Sequence, residues 1–500
     1  MHRALHFISY MQVYFVKRLV LILCILALTA MTTRAQGEGR PNYRELAKDY
    51  ASAMVDRDYG QIDDIFPTMI DRETMSLHDN PREAWPIRRE ETGVRNIDRA
   101  FNAANPRHDQ ALHELLYLLT EDTGNAKWAR AADASYSWFL EHTQHPKTGL
   151  LAMGDHLGWR LDTNEPVRHP NSEWADLKHE FHEDMPWPKL FELNPEAAAR
   201  YAEGIWQHHV YDREKGLHAH QTRWDTGEPD KGYVFPRMPG HMTLAFAWAH
   251  KYADGQKERD KWVRRINFIA DTHNARRHPE TDAAHRLHPK RGNFYPPFND
   301  LKGVLDAHRA LQLELPEETR EKIRDWTRRS DRTILKLDHD PVGRGWRKRV
   351  EPDNFELEEN RPAVEKGLWC SRYARKTAMA SIALRMYRRY RQNGDDRYLT
   401  PVLETAQRYV ATRPVCEQYP IRPSSVSQAI NLMLAAHRET GKDVYLRQAD
   451  LFGRRAVEMF LDETSPLPKV FSRGFSHYEA KTGGPALMKT LYLLGKRLAK

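Results

Sequence analysis

The chain has 500 residues, with 77 Lys and Arg against 69 Asp and Glu, 25 His and three Cys. Its length and its 13 Trp and 21 Tyr allow a large core, in two or three average domains or one large helical toroid. The net charge of +8 suits a polyanionic partner, and so few cysteines exclude a disulfide-stapled scaffold.

At the N-terminus, Lys17 and Arg18 precede the apolar run Leu19–Ala30, and Thr33-Arg34-Ala35 follows as a small-x-small pattern. This predicts a signal peptide over residues 1–35, cleaved before Gln36, and a periplasmic or secreted chain 36–500 forming a single domain. No later apolar stretch reaches spanning length, so no membrane span is expected after signal removal. Cys24 leaves with the signal; Cys370 and Cys416 remain, and spacing alone does not say whether they pair. Export disfavours nucleic acid, which leaves an acidic polysaccharide or oligosaccharide as the expected partner of a basic surface.

From Tyr43 onward apolar residues recur at three- and four-residue spacing, as in His108–Glu121, Ala129–His142, Pro195–His209 and His241–Tyr252. Thr123-Gly124, Asp254-Gly255, Asn393-Gly394 and Thr440-Gly441 recur as punctuation. Each glycine is expected to cap one helix before an aromatic or apolar residue begins the next. The pattern is a weak repeat of helical hairpins, which can stack as a solenoid or close into a ring. Four long insertions, Gly149–Pro188, Gly216–Gly240, Asp282–Asp300 and Leu337–Arg372, are too rich in aromatics for disorder. They favour an all-α (α/α) toroid with a cleft at one end.

The chemistry gathers in Gly154–Asp225. Gly154-Asp-His-Leu-Gly-Trp159, Asp176-Leu-Lys-His-Glu-Phe-His-Glu183 and Trp206–His220 interleave histidines with carboxylates. His156, Glu180 and His220, from three segments, can make a three-ligand metal site with open positions, or can line a cleft as hydrogen-bonding groups. His179-Glu180-Phe181-His182 is not a zinc-protease signature, because its histidines are three apart rather than four.

The order of His108-Asp-Gln110, Gly154-Asp-His156, His179-Glu-Phe181 and Trp206–Gly216 resembles bacterial secreted proteins of pectate-lyase-like type. So does the tail, Pro466–Lys469, His477–Ala480 and Thr482-Gly483-Gly484. More remotely it resembles the family 2 pectate lyases. That resemblance implies an (α/α) toroid, a divalent metal (Mn, Ca, Zn or Ni) held by His, Glu and His, and an arginine base beside the last histidine. His156 and Glu180 match the first two ligands. At the third the family pattern is Arg-His, whereas this chain reads His218-Ala219-His220-Gln221, so His220 replaces either the histidine or the arginine. Arg223 is the nearest arginine.

A uronate lyase must neutralise the sugar carboxylate, place a base near C5 and donate a proton to the leaving oxygen. With the metal on His156, Glu180 and His220, the base falls to His218, His220 or Arg223, and the donor to Tyr233 or Tyr295. Trp159, Lys178, His209, Tyr295 and Arg372 are expected to touch substrate. A glycoside hydrolase using two of Asp155, Glu180, Glu183, Asp184 and Asp225 is the alternative. An inactive polysaccharide-binding relative is the third.

Overall fold

Where the sequence is helical it also supplies the stops. Gly124, Gly394 and Gly441 sit in the left-handed region (φ 70°, 71° and 67°) just past a helix, closing its last turn as expected. Gly255 differs: Asp254 precedes it and Gly255 opens the next helix.

The computed structural model describes residues 39–56, 59, 64–167, 177–232, 234–284, 286–287, 293–358, 363–370, 378–410 and 412–500. The expected signal peptide lies outside them. Met1–Asn42 forms a separate unit, of which residues 39–42 are described and hold no helix or strand. Tyr43–Lys500 forms the other.

The second unit holds fourteen helices of seven residues or more among the described residues. The first seven are α1 Tyr43–Val55, α2 Pro106–Thr123, α3 Lys127–His142, α4 Trp187–Leu193, α5 Pro195–His209, α6 Met238–Lys251 and α7 Gly255–Ala275. The rest are α8 Pro297–Ala310, α9 Glu317–Lys336, α10 Met379–Asn393, α11 Asp396–Val410, α12 Pro423–Thr440, α13 Asp443–Phe460 and α14 Gly484–Leu498.

Consecutive helices from α2 onward pack as hairpins, and α14 pairs with α1. The first member of each hairpin touches the next around a ring: α4, α6, α8, α10, α12, α14 and then α2. The circle closes between α2 and α4, where the Lys189 ammonium lies 5.0 Å from the Tyr117 ring centre. The chain is therefore an (α/α) toroid of seven hairpins.

Inner helices separated by antiparallel outer ones must all run the same way. Six of the seven carry proline in the first turn: Pro106, Pro188, Pro239, Pro297, Pro423 and Pro485. There the missing N–H costs nothing. Each long insertion precedes an inner helix, so all four open on the end where those N-termini converge. The turns from inner to outer helix are short and sit at the opposite end. Two-residue strand pairs staple the mouth, among them Lys178–His179 with Thr222–Arg223 and Met69–Ile70 with Tyr478–Glu479. Cys370 and Cys416 form a disulfide between the loops before α10 and α12. No described helix is long and apolar enough to cross a membrane.

Glu183 and Asp184 turn toward basic side chains of the inner helices. Glu183 pairs with Lys302 of α8 and with Arg385 of α10 at 3.6 Å, while Asp184 takes Arg388 of α10 and lies 3.6 Å from Arg309 of α8. Asp184 holds φ 63°, and Gln110 of α2 donates to its carbonyl at 2.7 Å.

At the start of α8, Asp300 is fully buried, accepting from Tyr295 Oη and Ser330 Oγ, each at 3.1 Å. Burial pushes its carboxyl up to about 6, against the opposing pull of Arg277 and the two hydroxyls. The folded state thus keeps a proton that the unfolded chain releases from about pH 4. Stability should fall as pH rises through roughly 4–6, by on the order of 3 kcal/mol, and level off above. Urea unfolding across this range should show the loss in the wild type and its absence in Asp300→Asn.

Candidate active site

Asn105 begins the site. Its side-chain oxygen caps α2 at Arg107 N (3.1 Å), while its amide donates to the carbonyls of Gly154 and Leu157 at 2.9 Å each. One side chain thus ties the start of an inner helix to the Gly-Asp-His loop. Gly154 has φ 143°, and a Cβ there would lie 2.8 Å from Glu180 N. Only glycine lets the loop approach the Glu180 backbone so closely. Asp155 and Glu180 are brought to the same buried cluster.

Glu180 is nearly fully buried. Arg237, just before α6, donates to Glu180 Oε1 at 2.9 Å, and Gln221 Nε2 donates to Oε2 at 3.3 Å. Burial raises the Glu180 carboxyl and Asp155 adds to this, but Arg107, Arg237 and His220 outweigh both and hold it well below the usual range. Asp155 pairs with Arg107 at 2.7 Å and with Lys481 at 3.4 Å. Lys481 also lies 3.0 Å from His108 Nε2.

His156 Nδ1 lies 3.1 Å from Asp98 Oδ1, and Asp98 is gripped by Arg95 through two 2.9 Å bonds. The carboxylate fixes the imidazole ring and puts its proton on Nδ1, which leaves Nε2 to accept. His220 packs at 4.5 Å against the Phe235 ring. Burial drives its imidazole down to about 3, with Arg237, Arg286 and His156 pushing the same way against Glu180.

The three expected metal ligands therefore share a neighbourhood but do not make a ligand set. Among the described residues no group of three His, Cys, Asp or Glu is arranged to hold a metal. Both Glu180 oxygens already face N–H donors, while His156 spends only Nδ1 on Asp98. A metal here would compete with Arg237 and Gln221 for the Glu180 oxygens.

Other expected residues lie apart. Arg223 grips Asp225 through two bonds at 3.1 and 2.9 Å, and Lys178 reaches Asp230 at 3.3 Å. His218 is buried and lines a separate cavity, its Nε2 3.3 Å from the Phe235 carbonyl. His209 is wholly buried between His179 (2.9 Å) and the Ala219 carbonyl (2.9 Å). Tyr295 is likewise wholly buried on Asp300. Neither ring can stack on a sugar, so their expected substrate contacts are corrected to structural roles. Trp159 packs edge-on against Trp138 and Trp224 and donates to Asn164 at 2.8 Å. Tyr233 and Arg372 lie outside the described residues. Arg95, Asp98, Arg107, Arg237 and Lys481 belong to the cluster and were not anticipated.

Nearly all of these residues fall in one interval. There the chain is similar to periplasmic pectate lyases, whose family model matches residues 93–243. An unsaturated glucuronyl hydrolase specific for heparin shares 9% identity at a TM-score of 0.44, covering 92% of this chain and 99% of the other. A D-mannose isomerase shares 10% at 0.43, covering 91% and 96%. The cellobiose 2-epimerase of Bacillus thermoamylovorans B4167 shares 9% at 0.41, covering 61% and 83%.

Breaking the Glu180–Arg237 pair from one side leaves a buried carboxylate short of a partner. Arg237→Met should destabilise the fold by roughly 3–5 kcal/mol, and adding Glu180→Gln should recover much of that loss. Denaturant unfolding of the two variants measures it.

Proposed function

We propose that the chain is an exported lyase that cleaves a uronate-containing polysaccharide by β-elimination. The base takes the C5 proton, that electron pair becomes the C4–C5 double bond, and the C4–O bond breaks to an oxygen that is reprotonated. The observation that carries this reading is the charge of the cluster. Arg95, Arg107, Arg237, Arg286 and Lys481 outnumber Asp98, Asp155 and Glu180 around two histidines. A sugar carboxylate entering such a site is neutralised as its C5 proton becomes acidic. The similarity to periplasmic pectate lyases over the same residues supports the substrate class and the location.

His156 is the proposed base, because Asp98 orients it as a carboxylate orients a general-base imidazole. His220 is neutral at working pH and gains basicity when the substrate anion arrives beside it. Glu180 aims Arg237 and Gln221. Tyr233 remains the proposed proton donor, two residues along the chain from the Phe235 that backs His220. No step is routed through a metal, since no group of three His, Cys, Asp or Glu among the described residues is arranged to hold one.

The hydrolase alternative needs one carboxyl held protonated. Four of its five candidates sit below the usual carboxylate range. Burial opposes this in Glu180, Glu183 and Asp184, and nearby cations outweigh it; in Asp225 the bond from Arg223 is the main cause. The fifth, Asp155, is ion-paired twice. None is poised as a general acid.

Incubation with pectate and other uronate polymers should release products absorbing in the ultraviolet through the new double bond. That activity should survive chelator, and a loss with EDTA would mean that Glu180 leaves Arg237 for a metal. New reducing ends without absorbance would establish hydrolysis, and saturable binding without turnover a binding protein. His156→Ala should lower kcat by about 10²–10⁴ while KM changes little.

A further inference from the structure

Phe235 also lines a cavity of about 250 Å³ that does not include His220 and that the proposed mechanism does not use. It is lined by His218, Val234, Phe235, Pro236, His273 and Ala275, with Arg276, Arg277, Ala284 and Leu287. Two arginines and two histidines face it, and no carboxylate appears among the described residues of its lining.

Arg276 donates to the Gly216 carbonyl and has no carboxylate partner among the described residues. Arg277 is more than nine-tenths buried. It donates to the Asp282 carbonyl at 2.9 Å and to Ser330 Oγ, while its Nε is buried without a hydrogen-bond partner. A buried donor left unmade is costly and marks a place where a ligand or water belongs. Burial pushes the Arg276 guanidinium down to about 10, the direction an uncompensated cation takes.

We infer that this cavity is a second anion subsite, which takes the carboxylate of one uronic acid residue beside the proposed cleavage site. The inference rests on reading the chain as a uronate-processing protein. Size favours a single sugar, since the cavity is below the ~300–1,000 Å³ of sites for larger ligands. Phe235 connects the two places: its carbonyl faces His218 and its ring faces His220. The carboxylate can come from an outlying residue of the bound polymer or from a free monouronate.

Calorimetric titration with galacturonate, and with galactose as the uncharged control, tests this in the full-length protein. Galacturonate should bind saturably and galactose should not. Arg276→Gln, at the residue that follows α7, should weaken galacturonate at least about tenfold, as loss of a charge-assisted contact does. Arg276→Lys should weaken it less, and His156→Ala should leave it unchanged. Equal binding of both sugars, or galacturonate binding that Arg276→Gln leaves intact, overturns the inference, as does binding lost in His156→Ala alone. A raised KM for long but not short oligouronates in Arg276→Gln assigns the subsite to the polymer. Relief of inhibition by free galacturonate, with KM unchanged, assigns it to the monomer. Arg276-dependent galacturonate binding in a protein that forms no unsaturated product keeps the subsite and removes the lyase.

Discussion

A carboxylate cannot be buried alone, and much of the mouth of this toroid follows from burying Glu180. Its charge is held by Arg237 before α6 and balanced by Arg107 on α2, so two inner helices are fixed relative to one loop. The backbone of Glu180 then determines Gly154, because no side chain fits between them. Gly154 in turn places Asp155 on Arg107 and Lys481, the latter from the segment that leads into the last helix. A single buried charge thus links the first, third and seventh inner helices. Breaking such a pair is costly even where its net contribution to stability is small.

The toroid makes this arrangement available. Alternating inner and outer helices forces the inner helices to be parallel, so their N-termini meet at one end and their partial positive charges add there. The same end receives every long loop. Immediately after Glu180 the chain sends Glu183 and Asp184 to Lys302, Arg309, Arg385 and Arg388, which lie on α8 and α10. Five residues thus carry one buried and two half-buried acids into basic surroundings, and the left-handed backbone at Asp184 is held by charge on two helices. The cations of α8 and α10 are matched by acids, while those around His156 and His220 are in excess.

The fold was legible because hairpin repeats are local. Periodicity and glycine caps mark helix ends within a few residues, and long aromatic loops mark the open end. Only Gly255 was misplaced, since a glycine after an acidic residue can open a helix as well as close one. The site was legible by residue type but not by pairing. His156, Glu180 and His220 did converge, as three scattered segments of one loop-rich mouth. What each would bond to depended on arginines far away in sequence. Arg107 and Arg237 were readable only in hindsight, as basic residues flanking a proline at the start of an inner helix. His209 and Tyr295 were misread because burial is a tertiary property: both lie in segments whose neighbours face the cleft.

Phe235 shows how the mouth divides its work. Its ring carries Arg286 at 3.9 Å and Arg237 at 4.4 Å, and it packs against His220. A cation over an aromatic face keeps its charge while losing part of its water, which sharpens its attraction for an arriving anion. The same residue's carbonyl faces His218 across the other side. A substitution that removed the ring would loosen two arginines and a histidine. Phe235, two residues before the Arg237 that precedes α6, touches both basic regions. The backbone and the side chain of one residue thus serve different neighbours, which ties the basic cavity to the Glu180 cluster through a single position.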